Sequence, residues 1–479
     1  MKGNLGLVSG RVSRTEDKMS GATYDVIVLG GGAGGVPASI RSAQLGARVA
    51  IVESDLLGGL CMNRACVPFG HMMAASNILG SLALAKEMGL SFGDVKTDFS
   101  TLMKRQNELI SFMRQGVKSQ LNRKKVEILQ GKAKIAGKGK LEVDGKTYDY
   151  KKLILASGAR WVKPDFPGSD AEGVITTDEL LGGEKLPKKI LLYGNSPHLI
   201  PIAQFLHRYG SAVTLAVQEK DLLSAESKVI RSRLAAVLKN QGITLWTGAE
   251  IAGVKKRKDG IHCSLKVKDQ QEVLVVESIL GVRRGAALEG LGLENAGYNK
   301  PGDYIPVNKR METGLDGIYA IGDVSSPESK HYSHQASNGG IVAAENAMGL
   351  KSTYDSRSFC RVLFTRPQVA CVGLTSKEAK EAGYEVVEGA APFSMNPLGM
   401  ILTQTEGIVE VVADKKYGEV LGIHFIGEGA SEMAGVGVLA LQMEATLEDL
   451  ARAPFPHPTL NESLSDAARE CLGRSIFLP

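Results

Sequence analysis

Tyr24-Asp-Val-Ile-Val-Leu29 runs directly into Gly30-Gly-Gly-Ala-Gly-Gly35, and the fold turns on this stretch. Its first six residues read as a buried β-strand. An amphipathic helix follows from Val36 to Leu45, then a second strand, Arg48-Val-Ala-Ile-Val52, ending in Glu53. The whole is a strand–GxGxxG–helix–strand–acid pattern, with Gly30, Gly32 and Gly35 as the three glycines. They give, in turn, a tight turn, close backbone approach to a pyrophosphate, and close helix–strand packing. The helix N-terminus offers unpaired N–H groups to phosphates. Glu53 stands where a carboxylate would hold the adenosine ribose hydroxyls. The pattern predicts a dinucleotide site without distinguishing flavin from nicotinamide.

At 479 residues the chain exceeds one hydrophobic core, and size alone predicts about three domains. Aromatic residues make up only 5%, which argues against stacking platforms for single-stranded nucleic acid. The net charge of +5 is small, and short basic runs such as Lys255-Lys256-Arg257-Lys258 read as solvated faces. No nucleic-acid partner is expected, and no apolar run reaches membrane-spanning length. Residues 1–22 form a polar leader without the apolar core of a secretory signal, so a cytoplasmic location is expected.

Six cysteines in so long a chain do not make a disulfide scaffold. Cys263, Cys360, Cys371 and Cys471 stand alone, but Cys61 and Cys66 follow Glu53 closely, in Gly58-Gly-Leu-Cys-Met-Asn-Arg-Ala-Cys-Val-Pro68. Helix-compatible sequence runs on through Met72 to Leu84. A cysteine at a helix N-terminus has its thiolate stabilised, which favours redox reactivity. Two thiols without a second Cys or His pair nearby make a poor zinc site, and no metal is expected. Two unrelated buried thiols remain the bland alternative.

This segment resembles the active-site stretch of the pyridine nucleotide–disulfide oxidoreductases, especially their dihydrolipoamide dehydrogenase branch. Leu153-Ile-Leu-Ala-Ser-Gly158 resembles the family's crossover out of the flavin domain, and Gly317-Ile-Tyr-Ala-Ile-Gly-Asp323 its second flavin motif. Residues 353–479 resemble its dimer-interface domain, closing with His457-Pro-Thr-Leu-Asn-Glu462. The resemblance implies an α/β fold with two Rossmann-like nucleotide-binding domains and a C-terminal α+β dimer-interface domain. Its parts would be residues 23–157 and 288–352 for FAD, 158–287 for a nicotinamide-type unit, and 353–479 for dimerisation. It implies FAD as cofactor, with Gly30, Gly32, Gly35, Glu53, Gly59, Ala133, Ser157, Gly158 and Asp323 at the flavin site and His334 near it. It implies a Cys61–Cys66 redox disulfide, with Cys61 as the exposed interchange thiol and Cys66 as the thiolate against the flavin. Thiolates attack disulfides, so a base is needed. His457, oriented by Glu462, would be that base, reaching the disulfide of the other subunit of a homodimer.

The second nucleotide unit breaks the pattern. It should begin at Lys189-Ile-Leu-Leu-Tyr193 and turn at Gly194-Asn-Ser-Pro-His-Leu-Ile-Pro201. Ser196 and Leu199 occupy the second and third glycine positions, and Pro197 removes a donor. Val217 stands where a charged residue would meet the ribose. Gly281-Val-Arg-Arg-Gly-Ala286 only loosely resembles the family's glycine-arginine-proline stretch. Gly70 and Pro201 replace a lysine and a glutamate that form an ion pair beside the flavin in the family. Losing one partner would strand a buried charge at about 3–5 kcal/mol, whereas losing both avoids that cost. NAD(P) binding is therefore doubtful. The expected activity is dithiol–disulfide exchange, with dihydrolipoamide, free or on a carrier protein, as the leading dithiol. The electrons would pass to a protein or a quinone rather than to free NAD. An ordinary NAD-dependent enzyme with an unusual nicotinamide pocket, and a non-catalytic flavoprotein subunit or redox sensor, are the alternatives.

Overall fold

The structure is a computed structural model that describes residues 23–299 and 302–478, so the polar leader lies outside the described residues. Strand β1 (Thr23–Leu29), helix α1 (Gly35–Gln44) and strand β2 (Val49–Glu53) form the expected opening unit. Helices α2 (Gly59–Arg64), α3 (Cys66–Glu87) and α4 (Phe99–Arg123) then intervene before strand β3 (Glu127–Gln130). Asp98 caps α4, its carboxylate accepting the Thr101 N–H at 3.1 Å, which fixes where this helix begins. Strands β4 (Ala133–Gly137), β5 (Lys140–Val143) and β6 (Lys146–Leu155) complete the first pass. The order is β3-β2-β1-β6-β5-β4, and β1 pairs in parallel with both β2 and β6. Val26, Ile27, Val28 and Ile51 are fully buried, as strands covered on both faces require.

The chain leaves this sheet through β7 (Ala159–Val162), then forms β8 (Val174–Ile175) and α5 (Thr177–Gly182). The second strand–helix–strand unit is β9 (Lys189–Tyr193), α6 (Leu199–Arg208) and β10 (Ala212–Val217). It continues through α7 (Lys228–Asn240), β11 (Thr244–Thr247), β12 (Ala249–Arg257), β13 (Gly260–Val267), β14 (Gln270–Val276), β15 (Ser278–Gly281) and β16 (Arg283–Ala286). Its five strands lie in the order β11-β10-β9-β15-β8, all parallel. β7 and β16 pair antiparallel, so the exit from the first unit and the return to it form one two-stranded ribbon. Its register sets Arg284 opposite Trp161.

After the return, β17 (Ile318–Ala320) pairs with β6 and α8 (Ser333–Ala347) packs on α1. The C-terminal unit is an antiparallel sheet of β18 (Cys360–Leu363), β19 (Gln368–Gly373), β20 (Val386–Pro392), β21 (Ile408–Asp414) and β22 (Val420–Gly427), ordered β18-β19-β22-β21-β20. Helices Ala430–Gln442 and Glu462–Cys471 pack on it. One apolar core joins the three units, bringing together Phe69 and Met72 of α3, Ile202 and Phe205 of α6, and Val369 and Ile426 of this sheet.

Candidate functional site

The turn after β1 is built as its glycines require. Gly30 has φ +113°, and a Cβ there would lie 2.1 Å from the Ala156 carbonyl oxygen. A Cβ on Gly35 would lie 1.8 Å from the Gly30 carbonyl oxygen, so no larger residue lets α1 sit this close to β1. Glu53 accepts the Gly31 N–H on one carboxylate oxygen and the Asp55 N–H on the other, both at 2.8 Å. These groups border a cavity of about 690 Å³. Gly30, Gly32, Glu53, Gly59, Cys61, Cys66, Ala133, Ser157, Gly158 and Asp323 all line it. Ser157 also donates to the Ala287 carbonyl at 2.9 Å, tying the crossover to the returning chain.

Both cysteines are free thiols, side by side on the cavity wall. Cys61 lies within α2, and Cys66 is the first residue of α3. The neighbouring Cys61 thiol holds the Cys66 pKa below the usual thiol range, against the opposing effect of burial; the Ser333 hydroxyl and the Arg284 charge act in the same direction. The same pairing, together with burial, pushes Cys61 well above that range, so of the two sulfurs Cys66 is the better placed to carry charge. Cys61 is half-buried, and Cys66 is exposed on the cavity side. The open side of Cys66 is the cavity itself, and protein encloses it elsewhere.

Three residues that the sequence did not single out complete this wall. Ser333 Oγ lies 3.4 Å from Cys66 Sγ. Arg284 is buried; its Nη1 donates to the His331 carbonyl at 2.9 Å and lies 3.7 Å from Asp323 Oδ2. Its guanidinium also stacks on Trp161, 4.9 Å from the ring centre. The loose Gly281–Ala286 motif contained Arg284, but its role depends on the ribbon register with Trp161, which no local pattern discloses. His334 lies off the cavity: its ring is exposed and its Nε2 bonds the Cys360 carbonyl at 2.8 Å. Its neighbour Ser333 faces the sulfur instead. Gly35 also stays off the cavity lining, where it packs α1 on β1.

His457 and Glu462 form the expected pair, Nδ1 to Oε1, at 2.9 Å. Burial works against the Glu462 charge, but the Thr459 N–H and the His457 ring outweigh it and hold its pKa below the usual carboxylate range. Asn396 supports this loop, donating from Nδ2 to the Thr459 carbonyl at 2.9 Å. The His457 ring is 68% exposed, and neither member of the pair lines the cavity of its own chain.

The second unit is closed. Asn195 Oδ1 accepts the Gln218 and Glu219 N–H groups at 2.9 and 3.2 Å, bridging the ends of β9 and β10. Ser196 Oγ is buried and has no hydrogen-bond partner among the described residues. Between Asn195, Pro197, Val217 and Leu222 the cavity at this turn is about 10 Å³, room for one water. Glu226, at the far end of the loop after β10, is held by the Arg361 guanidinium through Nε at 2.7 Å and Nη2 at 2.9 Å. Gly70 and Pro201 fall on α3 and α6, which pack together through an apolar core that includes their neighbours Phe69 and Ile202.

Residues 24–348 match the family model "Pyridine nucleotide-disulphide oxidoreductase", and residues 359–468 match that family's dimerisation domain. The chain belongs to the pyridine nucleotide–disulphide oxidoreductases. Within this family it is 37% identical over 462 residues to a dihydrolipoyl dehydrogenase of Thermus scotoductus, covering 95% of this chain and 99% of that protein. It is 31% identical over 472 residues to one of Bacillus subtilis, again covering 95% of this chain and 99% of that protein. LpdA from Mycobacterium tuberculosis shares the fold, with a TM-score of 0.84 at 22% identity over 94% of this chain and 99% of that one. The Cu(II) complex of the flavoprotein disulfide reductase RclA from Escherichia coli does so with a TM-score of 0.82 at 23% identity, over 93% and 99%. As a pyridine nucleotide–disulphide oxidoreductase the chain is a flavin-dependent enzyme, and its cofactor is FAD. The cradle fits that group, since the tight glycine turn, the carboxylate of Glu53 and the 690 Å³ cavity ending at the thiols form one continuous lining.

Proposed function

We propose that this enzyme oxidises a dithiol of the dihydrolipoamide type and passes the electrons through Cys61 and Cys66 to FAD and on to an acceptor other than free NAD. The observation that carries the reading is the adjacent thiol pair on the flavin cavity wall, beside the Ser333 hydroxyl and the Arg284 charge, which both favour a thiolate on Cys66. The relatives named dihydrolipoyl dehydrogenase support the choice of dithiol.

In the oxidised enzyme Cys61 and Cys66 form the disulfide. One substrate thiolate attacks the sulfur of Cys61, the enzyme S–S bond breaks, and Cys66 leaves as a thiolate, stabilised by its surroundings. The second substrate thiol gives its proton to a base and attacks the substrate sulfur of the mixed disulfide, releasing Cys61. The substrate leaves as a disulfide, and its two electrons now reside on the cysteine pair. FAD supplies a two-electron carrier against Cys66 when bound. Gly30, Gly32, Gly35, Glu53, Gly59, Ala133, Ser157, Gly158 and Asp323 serve that cofactor. His457 of the partner subunit, oriented by Glu462, moves the proton, since no histidine of the same chain lines the cavity. The family's dimerisation domain and the exposed Met395, Met400, Ile401, Leu439 and Met443 support a homodimer. We assign residues 23–157 and 288–352 to the FAD-binding part, 158–287 to the nicotinamide-type part and 353–479 to dimerisation. A lipoyl-carrying protein is the natural donor, and a redox protein or quinone the acceptor. Among the described residues no helix is long and apolar enough to cross a membrane. The relatives' name favours a second reading, in which NAD still accepts the electrons.

Cys61→Ser tests the exchange step directly. The variant should keep its FAD and lose dihydrolipoamide turnover by more than about a hundredfold, and His457→Gln should lose about 10²–10⁴-fold. Turnover retained in Cys61→Ser would remove the pair from the mechanism.

A further inference from the structure

The surroundings of Cys66 hold a group with no other evident task. Ser333 Oγ lies 3.4 Å from Cys66 Sγ, and the hydroxyl also favours the charged form of Cys61, where burial and the neighbouring sulfur outweigh it. Ser333 opens α8, a helix of 15 residues, and Cys66 opens α3, one of 22, so the sulfur and the hydroxyl meet where two helix N-termini converge. A helix N-terminus favours negative charge. A thiolate is an acceptor only, so with Cys66 charged the Ser333 O–H must be the donor.

We infer that Ser333 is a positioning residue for the disulfide chemistry, donating a hydrogen bond to Cys66 that keeps this sulfur the better leaving group of the pair. The inference rests on the proposed role of the Cys61–Cys66 pair. The other groups facing Cys66 are few. Cys61 on α2 is the neighbouring thiol, and Arg284 on β16 brings a fixed positive charge. Behind Arg284 lie Asp323, with Oδ2 3.7 Å from its Nη1, and the His331 ring, with Nδ1 3.8 Å from the same Asp323 oxygen. Asp323 offsets part of the Arg284 charge, and the guanidinium is committed to the His331 carbonyl and the Trp161 ring. Among the described residues Ser333 alone places a hydrogen-bonding side-chain atom on the sulfur by distance and angle, at the atom from which the leaving charge must be stabilised. A lower leaving-group pKa speeds thiol–disulfide exchange and fixes which of the two sulfurs departs.

The test uses FAD-loaded protein reduced with one equivalent of dithionite, so that no substrate enters the measurement. The long-wavelength absorbance of a thiolate against the flavin is followed with pH in wild type, Ser333→Ala, Ser333→Thr and Cys66→Ser. The wild-type midpoint should fall below the ordinary thiol range. Ser333→Ala should raise it by about one pH unit, tenfold in thiolate fraction below the midpoint, and Ser333→Thr should restore it to within a few tenths. Alkylation of Cys66 by iodoacetamide at pH 6, mapped by mass spectrometry on FAD-stripped protein, should slow several-fold in Ser333→Ala and gives a readout independent of flavin. An unchanged midpoint and alkylation rate in Ser333→Ala would overturn the inference. Absorbance surviving in Cys66→Ser would instead overturn the reading of the pair.

Discussion

The units β1–α1–β2 and β9–α6–β10 follow the same path, yet the turn after β1 opens on a cavity of about 690 Å³ and the turn after β9 on one of about 10 Å³. The skeleton is set by buried strands and an apolar helix face, which both sequences supply. The cavity is set by a handful of residues in the first turn. In the first unit Gly35 lets the helix approach and Glu53 reaches back to the Gly31 N–H. In the second, Leu199 fills the helix–strand contact and Asn195 spends its side chain bridging two strand ends. A Rossmann-like unit can thus keep its architecture, and its place in a common core, after its nucleotide-binding turn has been rewritten.

The sharpest way to break this comparison is to put one methyl group into each turn. Gly35→Ala drives a Cβ into the Gly30 carbonyl, so the protein should purify with less than about a tenth of its FAD. Flavin content near wild type would show that the close helix approach is not needed. Gly194→Ala meets nothing closer than 3.7 Å, and only its φ of +131° resists the change. It should cost about 1–2 kcal/mol in denaturant unfolding and leave FAD content unchanged. A larger loss of flavin from this site would mean that the second turn also serves the first cavity.

Between these extremes lies the clamp on the second unit. Glu226 and Arg361 are both largely buried, with side chains 11% and 15% exposed. Arg361→Ala would leave the carboxylate buried and unpaired, at a cost of about 3–5 kcal/mol measured by chemical denaturation. It should not create reduction by NADH, because the closure at Asn195 and Leu199 stays in place. A gain of that activity would make the loop after β10 a gate.

The smallest effect concerns pH. Burial pushes the His424 pKa down to about 4, and the Arg361 charge adds to the shift. The unfolded chain, with its ordinary value of 6.5, then binds more protons than the folded one between pH 6.5 and 4, so stability falls as pH is lowered through that window. His424→Gln should lose less stability than wild type between pH 7 and pH 4.5, and equal losses would contradict the assignment.

Much of this was legible in the sequence because the signals are local. The GxGxxG turn, the Cys-x4-Cys spacing, and a histidine followed by a carboxylate on the next helix turn each lie within one segment. Ser333, Arg284 and Trp161 were not legible. Their roles arise where α8 meets α3 and where β7 pairs with β16, contacts between residues that lie far apart in the chain. His334 shows the converse: a motif placed it near the flavin, but the first turn of α8 aims its neighbour at the sulfur and turns the ring toward Cys360. The closure of the second unit was half legible. Ser196 and Leu199 signal the loss of the fingerprint, but the Asn195 bridge depends on where β10 ends.

Rapid mixing of the FAD-loaded enzyme, anaerobically, with dihydrolipoamide in one syringe run and NADH in another bears most directly on the difference between the two units. The account predicts that flavin absorbance bleaches within the enzyme's turnover time with dihydrolipoamide and stays unchanged over the same period with NADH. Fast bleaching by NADH would contradict it.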